Sequence, residues 1–169
     1  MPEKIFFAAD THFGDSAIIR YENRPFADAD EMDRTLIENW NRVVSDNDRV
    51  FLLGDFSAYP PERRAEICRS LNGRKFLVMG NHDTLNERQY YEIGFEGVSR
   101  YPVIYEGFWI LSHEPLYVNK NMPYANIFGH VHANPIYSTV SEQSFCVRIE
   151  RTGYAPIEFE EVKRRIKEG

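Results

Sequence analysis

The chain has 169 residues, with 20 Lys and Arg against 26 Asp and Glu, so its formal charge is −6 at neutral pH. That length suits one compact domain over residues 1–169 and is enough to bury a core without disulfide staples. With 43% hydrophobic residues the chain is globular in class, and a pI near 5.4 argues against a protein that coats long nucleic acid or an anionic membrane.

The first apolar run, residues 4–9, ends at Asp10 and reads as a buried strand. Residues 18–27 are polar, contain Arg-Pro and read as a loop. Asp28 followed by Glu31 forms a capping-box pattern. Behind it Met32, Leu36, Ile37, Trp40, Val43 and Val44 recur at helical spacing, which predicts a helix with one apolar face. Residues 49–53 form a second strand halted at Gly54-Asp55. Pro60-Pro61 opens a helix to residue 71, with proline where its missing N–H is harmless. A third strand over residues 75–79 stops at Gly80-Asn81. This alternation of strand and helix predicts parallel pairing.

The second half reads differently. Residues 98–106 and 108–112 flank Gly107 as an antiparallel hairpin, and the aromatic residues from Tyr101 to Trp109 read as sandwich core at alternating positions. Further strands fall at 126–128, 144–150 and 155–159, with a short charged helix over 160–168. A parallel half joined to an antiparallel half predicts two sheets packed face to face. No apolar stretch approaches the ~18 residues of a membrane helix, and none near the N-terminus matches the ~7–15-residue core of a secretory leader. Cys68 and Cys146 have no partner at zinc-site spacing and read as small buried hydrophobes, so the expected compartment is the reducing cytoplasm.

The chemistry lies where the apolar runs stop. Strand ends carry Asp10-Thr-His12, Gly54-Asp55, Gly80-Asn81-His82-Asp83, His113 and Gly129-His130-Val-His132, and the chain's 5 histidines all lie among them. Ligands of α/β sheets bind outside the carboxyl ends of the strands, so one crevice can collect all of these side chains. Asp10 and His12 are two residues apart, as are His130 and His132. In extended chain such pairs point to one side and offer two ligating atoms together. The glycines before the ligands permit close backbone approach.

The ordered set D-x-H, G-D, G-N-H-[DE], H and G-H-x-H resembles that of the calcineurin-like metallophosphoesterases, most closely their small bacterial or phage-type members without a cap domain. The resemblance spans residues 10–132. It implies an α/β fold of two packed mixed β-sheets flanked by helices, a four-layer αββα sandwich with two metals at the sheet edge. One metal would take Asp10, His12, Asp55 and His132, and the other Asp55, Asn81, His113 and His130, with Asp55 bridging. Mixed carboxylate, amide and imidazole ligation suits divalent first-row ions, Mn²⁺ foremost and Fe²⁺, Ni²⁺ or Zn²⁺ otherwise. A metal-bridging hydroxide would attack a phosphomonoester or phosphodiester in line with the leaving oxygen. By the same resemblance His82 protonates the leaving group and Asp83 orients its ring. Asp15 departs from the pattern, which places His there, and the extra carboxylate alters either substrate contacts or cation attraction.

Arg20 and Arg24, in the loop after the first motif, are the candidate phosphate-binding guanidiniums. A solvated loop arginine is the alternative reading for each. The expected partner is a small phosphoester or nucleotide, with no membrane involvement. A nucleotide pyrophosphohydrolase or nuclease on the same metals is the rival within catalysis. A non-catalytic interaction scaffold on the same fold is the rival outside it, and the intact ligand set speaks against it.

Overall fold

The computed structural model describes residues 2–131 and 141–168. The three apolar runs become β1 (Ile5–Ala8), β2 (Arg49–Leu52) and β3 (Arg74–Val78), each parallel to the next. Between them lie α1 (Ser16–Tyr21), α2 (Ala29–Val43) and α3 (Pro61–Ser70), and after them α4 (Glu87–Ile93) leads to β4 (Gly97–Ser99), parallel to β3. A second sheet follows, made of β5 (Val103–Tyr105), β6 (Trp109–Leu111), β7 (Ala125–Phe128) and β8 (Ser144–Cys146). The chain closes with β9 (Ile157–Glu158), which returns to the first sheet antiparallel to β1, and with α5 (Phe159–Glu168). The sheet orders are β4-β3-β2-β1-β9 and β5-β6-β7-β8.

Side-chain alternation sorts these strands into layers. Phe6, Ala8, Val50, Leu52 and Leu77 turn to one face, where they meet Ile18 of α1, Met32, Leu36 and Trp40 of α2, Ile67 of α3 and Tyr90 of α4. Phe7, Phe51 and Val78 turn to the other face and meet Leu111 and Ile127 of the second sheet. Val162 of α5 enters this inner cluster too. Removing a leucine- or phenylalanine-sized side chain from water stabilises by about 1.5–3 kcal/mol, so these two apolar layers fix the sandwich. On the outer face of the second sheet, Asn126 of β7 accepts from the Leu116 amide at 2.8 Å and donates to Ser112 Oγ at 2.9 Å.

Two packed mixed sheets flanked by helices match the expectation, while several local readings do not. The second sheet is mixed, because only β5 and β6 pair antiparallel and β6, β7 and β8 run parallel. Residues 98–106 do not form one strand: β4 joins the first sheet and β5 the second, with Pro102 between them unable to donate to a ladder. Residues 144–150 give a strand of only three residues followed by a 3-10 turn at Ile149–Arg151, and Phe159 begins α5 instead of ending a strand. Part of the segment read as loop is α1, capped by Asp15, whose carboxylate accepts from the Ala17 amide at 2.9 Å. The helix α4 carries a legible capping box, Asn86 with Gln89. Of the aromatic stretch, Tyr105 packs on Phe51 and Trp109 on Phe159, whereas Tyr101, off the strands, is 72% exposed. Both cysteines are free and buried. Among the described residues no helix is long and apolar enough to cross a membrane.

Candidate metal centre at the strand ends

The backbone does something at the strand ends that extended geometry would not. Asp10, His12, Asp55 and His130 all have positive φ, at 59°, 51°, 56° and 65°. The left-handed region costs a non-glycine residue roughly 1–2 kcal/mol, and such strain concentrates where surrounding contacts over-determine it, as at functional sites. Asp10 and His12 therefore converge because the chain turns left-handed at each, not because alternate residues of a strand share a side. The turns are laced together: the Asp10 and His12 amides donate to the Gly54 and Asp55 carbonyls, both at 3.0 Å. The His130 amide donates to Asp10 Oδ2 at 2.8 Å.

Two glycines are required by proximity. A Cβ on Gly80 would fall on the Asp55 carboxylate and 2.8 Å from the Asp55 amide. A Cβ on Gly129 would lie 2.5 Å from Ala9 Cβ and 2.6 Å from Asp10 Oδ2.

Six of the seven expected ligands come together; His132 lies outside the described residues. One group comprises Asp10, His12 and Asp55, with His12 Nε2 at 3.9 Å from Asp10 Oδ1 and 3.6 Å from Asp55 Oδ2. The other comprises Asp55, His113 and His130. His113 Nε2 lies 3.4 Å from Asp55 Oδ2, 3.0 Å from Asn81 Oδ1 and 3.0 Å from His130 Nδ1. Asn81 Oδ1 also lies 3.1 Å from His130 Nδ1. Asp55 belongs to both groups.

The donor set fits a cation. His113 Nδ1 is 2.7 Å from the Leu53 carbonyl, which only accepts, so Nδ1 carries the proton and Nε2 of the neutral ring presents a lone pair. Facing that lone pair are a carboxylate oxygen, an amide oxygen and another imidazole nitrogen. Lone pairs crowded this closely repel unless something positive sits among them. In the metal-free protein a proton does so. Burial alone would lower the pKa of His113, but Asp55 and Asp10 outweigh it and push it up to about 9. Burial, assisted by the neighbouring Asp55 charge, raises Asp10 to about 7. Burial, with help from Arg24, holds His12 down at about 4, so its ring is neutral near pH 7. Burial works against the Asp55 carboxylate, but His113, the His82 amide and His12 overcome it and keep its pKa below the ordinary range. A divalent ion would replace the protons that Asp10 and His113 otherwise hold.

The remaining candidates divide. His82 is exposed at the rim, its ring 5.6 Å from that of His12 and its amide donating to Asp55 Oδ1 at 2.9 Å. Asp83 is buried and does not serve the His82 ring. Its two carboxylate oxygens accept from the backbone amides of Asp55 at 2.7 Å, Gly80 at 2.8 Å and Phe56 at 3.0 Å. It ties the second strand end to the third, and burial, opposed by these amides, raises its pKa. Asp15 caps α1 while its other oxygen lies 3.6 Å from His12 Nδ1, so it faces the ring nitrogen that points away from Asp55. Arg20 is exposed on α1. Arg24 is corrected outright: its side chain is fully buried, and its guanidinium donates to the Asp10 and Thr11 carbonyls at 2.6 and 2.8 Å, leaving no fork for a phosphate. Sequence reasoning missed Asp33, which accepts from the Gly14 amide at 2.9 Å and from Tyr59 Oη at 2.6 Å and so steadies the turn after His12. Its signal was present: a carboxylate three and seven residues before Leu36 and Trp40, on the buried stripe of α2.

Comparison with known proteins agrees with this architecture. An uncharacterized protein of Methanocaldococcus jannaschii, MJ1445, is 34% identical over 98% of this chain and 93% of its own length. The gene 66 protein of Mycobacterium phage L5 is 33% identical over 46% of this chain and 39% of its own. Among solved structures, the Aquifex aeolicus protein of unknown function AQ665 superposes with a TM-score of 0.74 at 23% identity, covering 96% of this chain and 99% of that one. The Pseudomonas putida nuclease MPE superposes with a TM-score of 0.53 at 21% identity, covering 76% and 61%. Both show a shared fold. The calcineurin-like phosphoesterase model matches residues 3–165, and with nearly the whole chain inside that match, the protein belongs to the calcineurin-like phosphoesterase family.

Proposed function

We propose that residues 1–169 form a single domain that hydrolyses small phosphomonoesters or phosphodiesters at a pair of divalent ions. Asp10, His12 and Asp55 would hold one ion with His132, and Asp55, Asn81, His113 and His130 the other. The observation that carries this reading is the Asp55 carboxylate, common to both groups of converging ligand atoms. Such a pair of ions, when bound, supplies Lewis acidity toward a phosphoryl group and the water that attacks it.

The chain's own residues do the rest. His113 is held by its bond to Leu53 so that Nε2 faces the centre, which is the usual way a second hydrogen bond fixes a ligating histidine. His82 lies at the exposed rim with its ring outside both ligand groups, and in this reading it gives a proton to the departing oxygen. Asp83 keeps the Gly80 turn against the Asp55 turn, which sets where His82 stands. Mixed carboxylate, amide and imidazole ligation favours Mn²⁺ first, then Fe²⁺, Ni²⁺ or Zn²⁺. The net charge of −6 favours a small phosphoester or nucleotide over a long polynucleotide. The two free cysteines accord with residence in the cytoplasm.

The test is elemental analysis paired with hydrolysis of bis(p-nitrophenyl) phosphate and p-nitrophenyl phosphate before chelation, after it, and after Mn²⁺ is returned. Two metals per chain and activity that disappears and returns with them are expected. One metal per chain, or hydrolysis indifferent to chelation, refutes the reading.

A further inference from the structure

A buried group of four charges lies behind the candidate centre, where its guanidiniums reach backbone carbonyls and carboxylates among the described residues. Arg24 donates through Nη2 to the Asp10 carbonyl and through Nη1 to the Thr11 carbonyl, the backbone of the left-handed turn that carries Asp10 and His12. Arg148, 1% exposed, donates through Nη1 to the Val131 carbonyl at 2.9 Å, in the turn that follows His130. Glu150 joins the two: Oε1 accepts from Arg24 Nε at 2.7 Å, and Oε2 lies 2.8 Å from Arg148 Nε. Glu22 balances the second guanidinium, with Oε2 at 3.1 Å from Arg148 Nη2. The backbone supports the arrangement, because Ala9 bridges to Arg148 and the Ile149 amide donates to the Ala9 carbonyl at 3.0 Å.

We infer that Glu150 and the two arginines it joins are positioning residues that set the Asp10–His12 turn against the His130 turn. The inference rests on the metal-centre reading for its consequence, though not for its geometry. Left-handed turns rotate their carbonyls out of the sheet ladder, and a buried carbonyl needs a donor. Arginine supplies several N–H groups in a rigid plane, so one side chain reaches two successive carbonyls and a carboxylate at once. Lysine, with a single donor centre, cannot copy that pattern. A carboxylate with one oxygen on each guanidinium links the orientation of one turn to that of the other. On the side of the candidate centre the same two turns meet through the His130 amide and Asp10 Oδ2. Glu150 therefore closes a loop of contacts whose other closure is made by a ligand.

The test uses Glu150→Gln, which keeps shape but turns an N–H₂ group toward one of the arginines, and Arg24→Lys, which keeps charge but loses the fork. Arg64→Lys is the control, since Arg64 is also buried but bonds Tyr59 and Tyr90, and neither the Asp10–His12 turn nor the His130 turn. Two readouts are taken: amide hydrogen exchange at His130 in metal-free protein, and Mn²⁺ affinity by calorimetry with the Co²⁺ absorption spectrum alongside. Faster His130 exchange and an affinity loss of about 10–100-fold in Glu150→Gln, with a smaller loss in Arg24→Lys and neither effect in Arg64→Lys, are the expected results. Unchanged exchange in Glu150→Gln overturns the inference, as does an equal affinity loss in Arg64→Lys. Should Glu150→Gln fail to fold, Arg24→Lys decides alone on the same two readouts. A parent protein that binds no metal refutes the metal-centre reading, and the exchange measurement still decides the positioning role.

Discussion

Replacing Asp83 by asparagine swaps one acceptor oxygen for a donor at a site where three backbone amides converge. The Asp55 and Gly80 amides share one oxygen and the Phe56 amide takes the other. If the asparagine oxygen serves the first two, its N–H₂ confronts the Phe56 N–H and one charge-assisted bond is lost. A hydrogen bond to a charged group is worth about 1.5–3 kcal/mol, and the two surviving bonds fall to roughly half their strength once the acceptor is neutral. Burial of the carboxylate, which raises its pKa, returns part of this when the charge is removed. The net cost is about 2–4 kcal/mol. Urea unfolding of metal-free parent and variant at pH 7 measures it, with metal affinity taken on the same samples. An Asp83→Asn protein as stable as the parent but with collapsed turnover refutes the reasoning and returns Asp83 to the role of orienting the His82 ring.

Further outcomes follow from the same geometry. His82→Ala should keep both metals by elemental analysis yet lose about 10²–10⁴-fold in turnover; loss of metal with turnover would place His82 among the ligands. Gly80→Ala should destabilise the protein and weaken metal binding, because its Cβ falls on the Asp55 backbone and carboxylate, and an alanine variant with parental affinity would contradict that contact. The metal-free protein should lose stability between about pH 6.5 and 9. His113 rises from 6.5 to about 9 on folding, so its contribution is fully present below 6.5 and is lost as pH climbs through 9. That amounts to at most about 3 kcal/mol, and a melting temperature that climbs over this range would contradict the sign.

No single residue of the sequence marked the site, whereas the order of its motifs did. Asp10, His12, Asp55, Asn81, His113 and His130 were legible because chemistry-bearing residues recur where apolar runs stop, and strand ends of one sheet share an edge. Short elements were the harder part. The six residues of α1 have too little periodicity to announce a helix, and β4 and β5 fall in one stretch read as a single strand although they belong to different sheets. Nothing in spacing separates those cases, since sheet membership depends on which partner strand supplies the hydrogen bonds.

What a side chain does with its polar atoms was settled by folding. Arg24 and Asp83 sit in the motif loops beside exposed Arg20 and His82, and their residue types fit a phosphate and a ring nitrogen equally well. Burial gave both of them to backbone groups, because amides and carbonyls freed by left-handed turns must be bonded when water is excluded. Composition and motif order thus determined the fold class and the residue types gathered at the strand ends. The tertiary structure decided which polar residues face the centre and which hold its walls, since that choice depends on distances between segments over a hundred residues apart, such as Arg24 and Glu150.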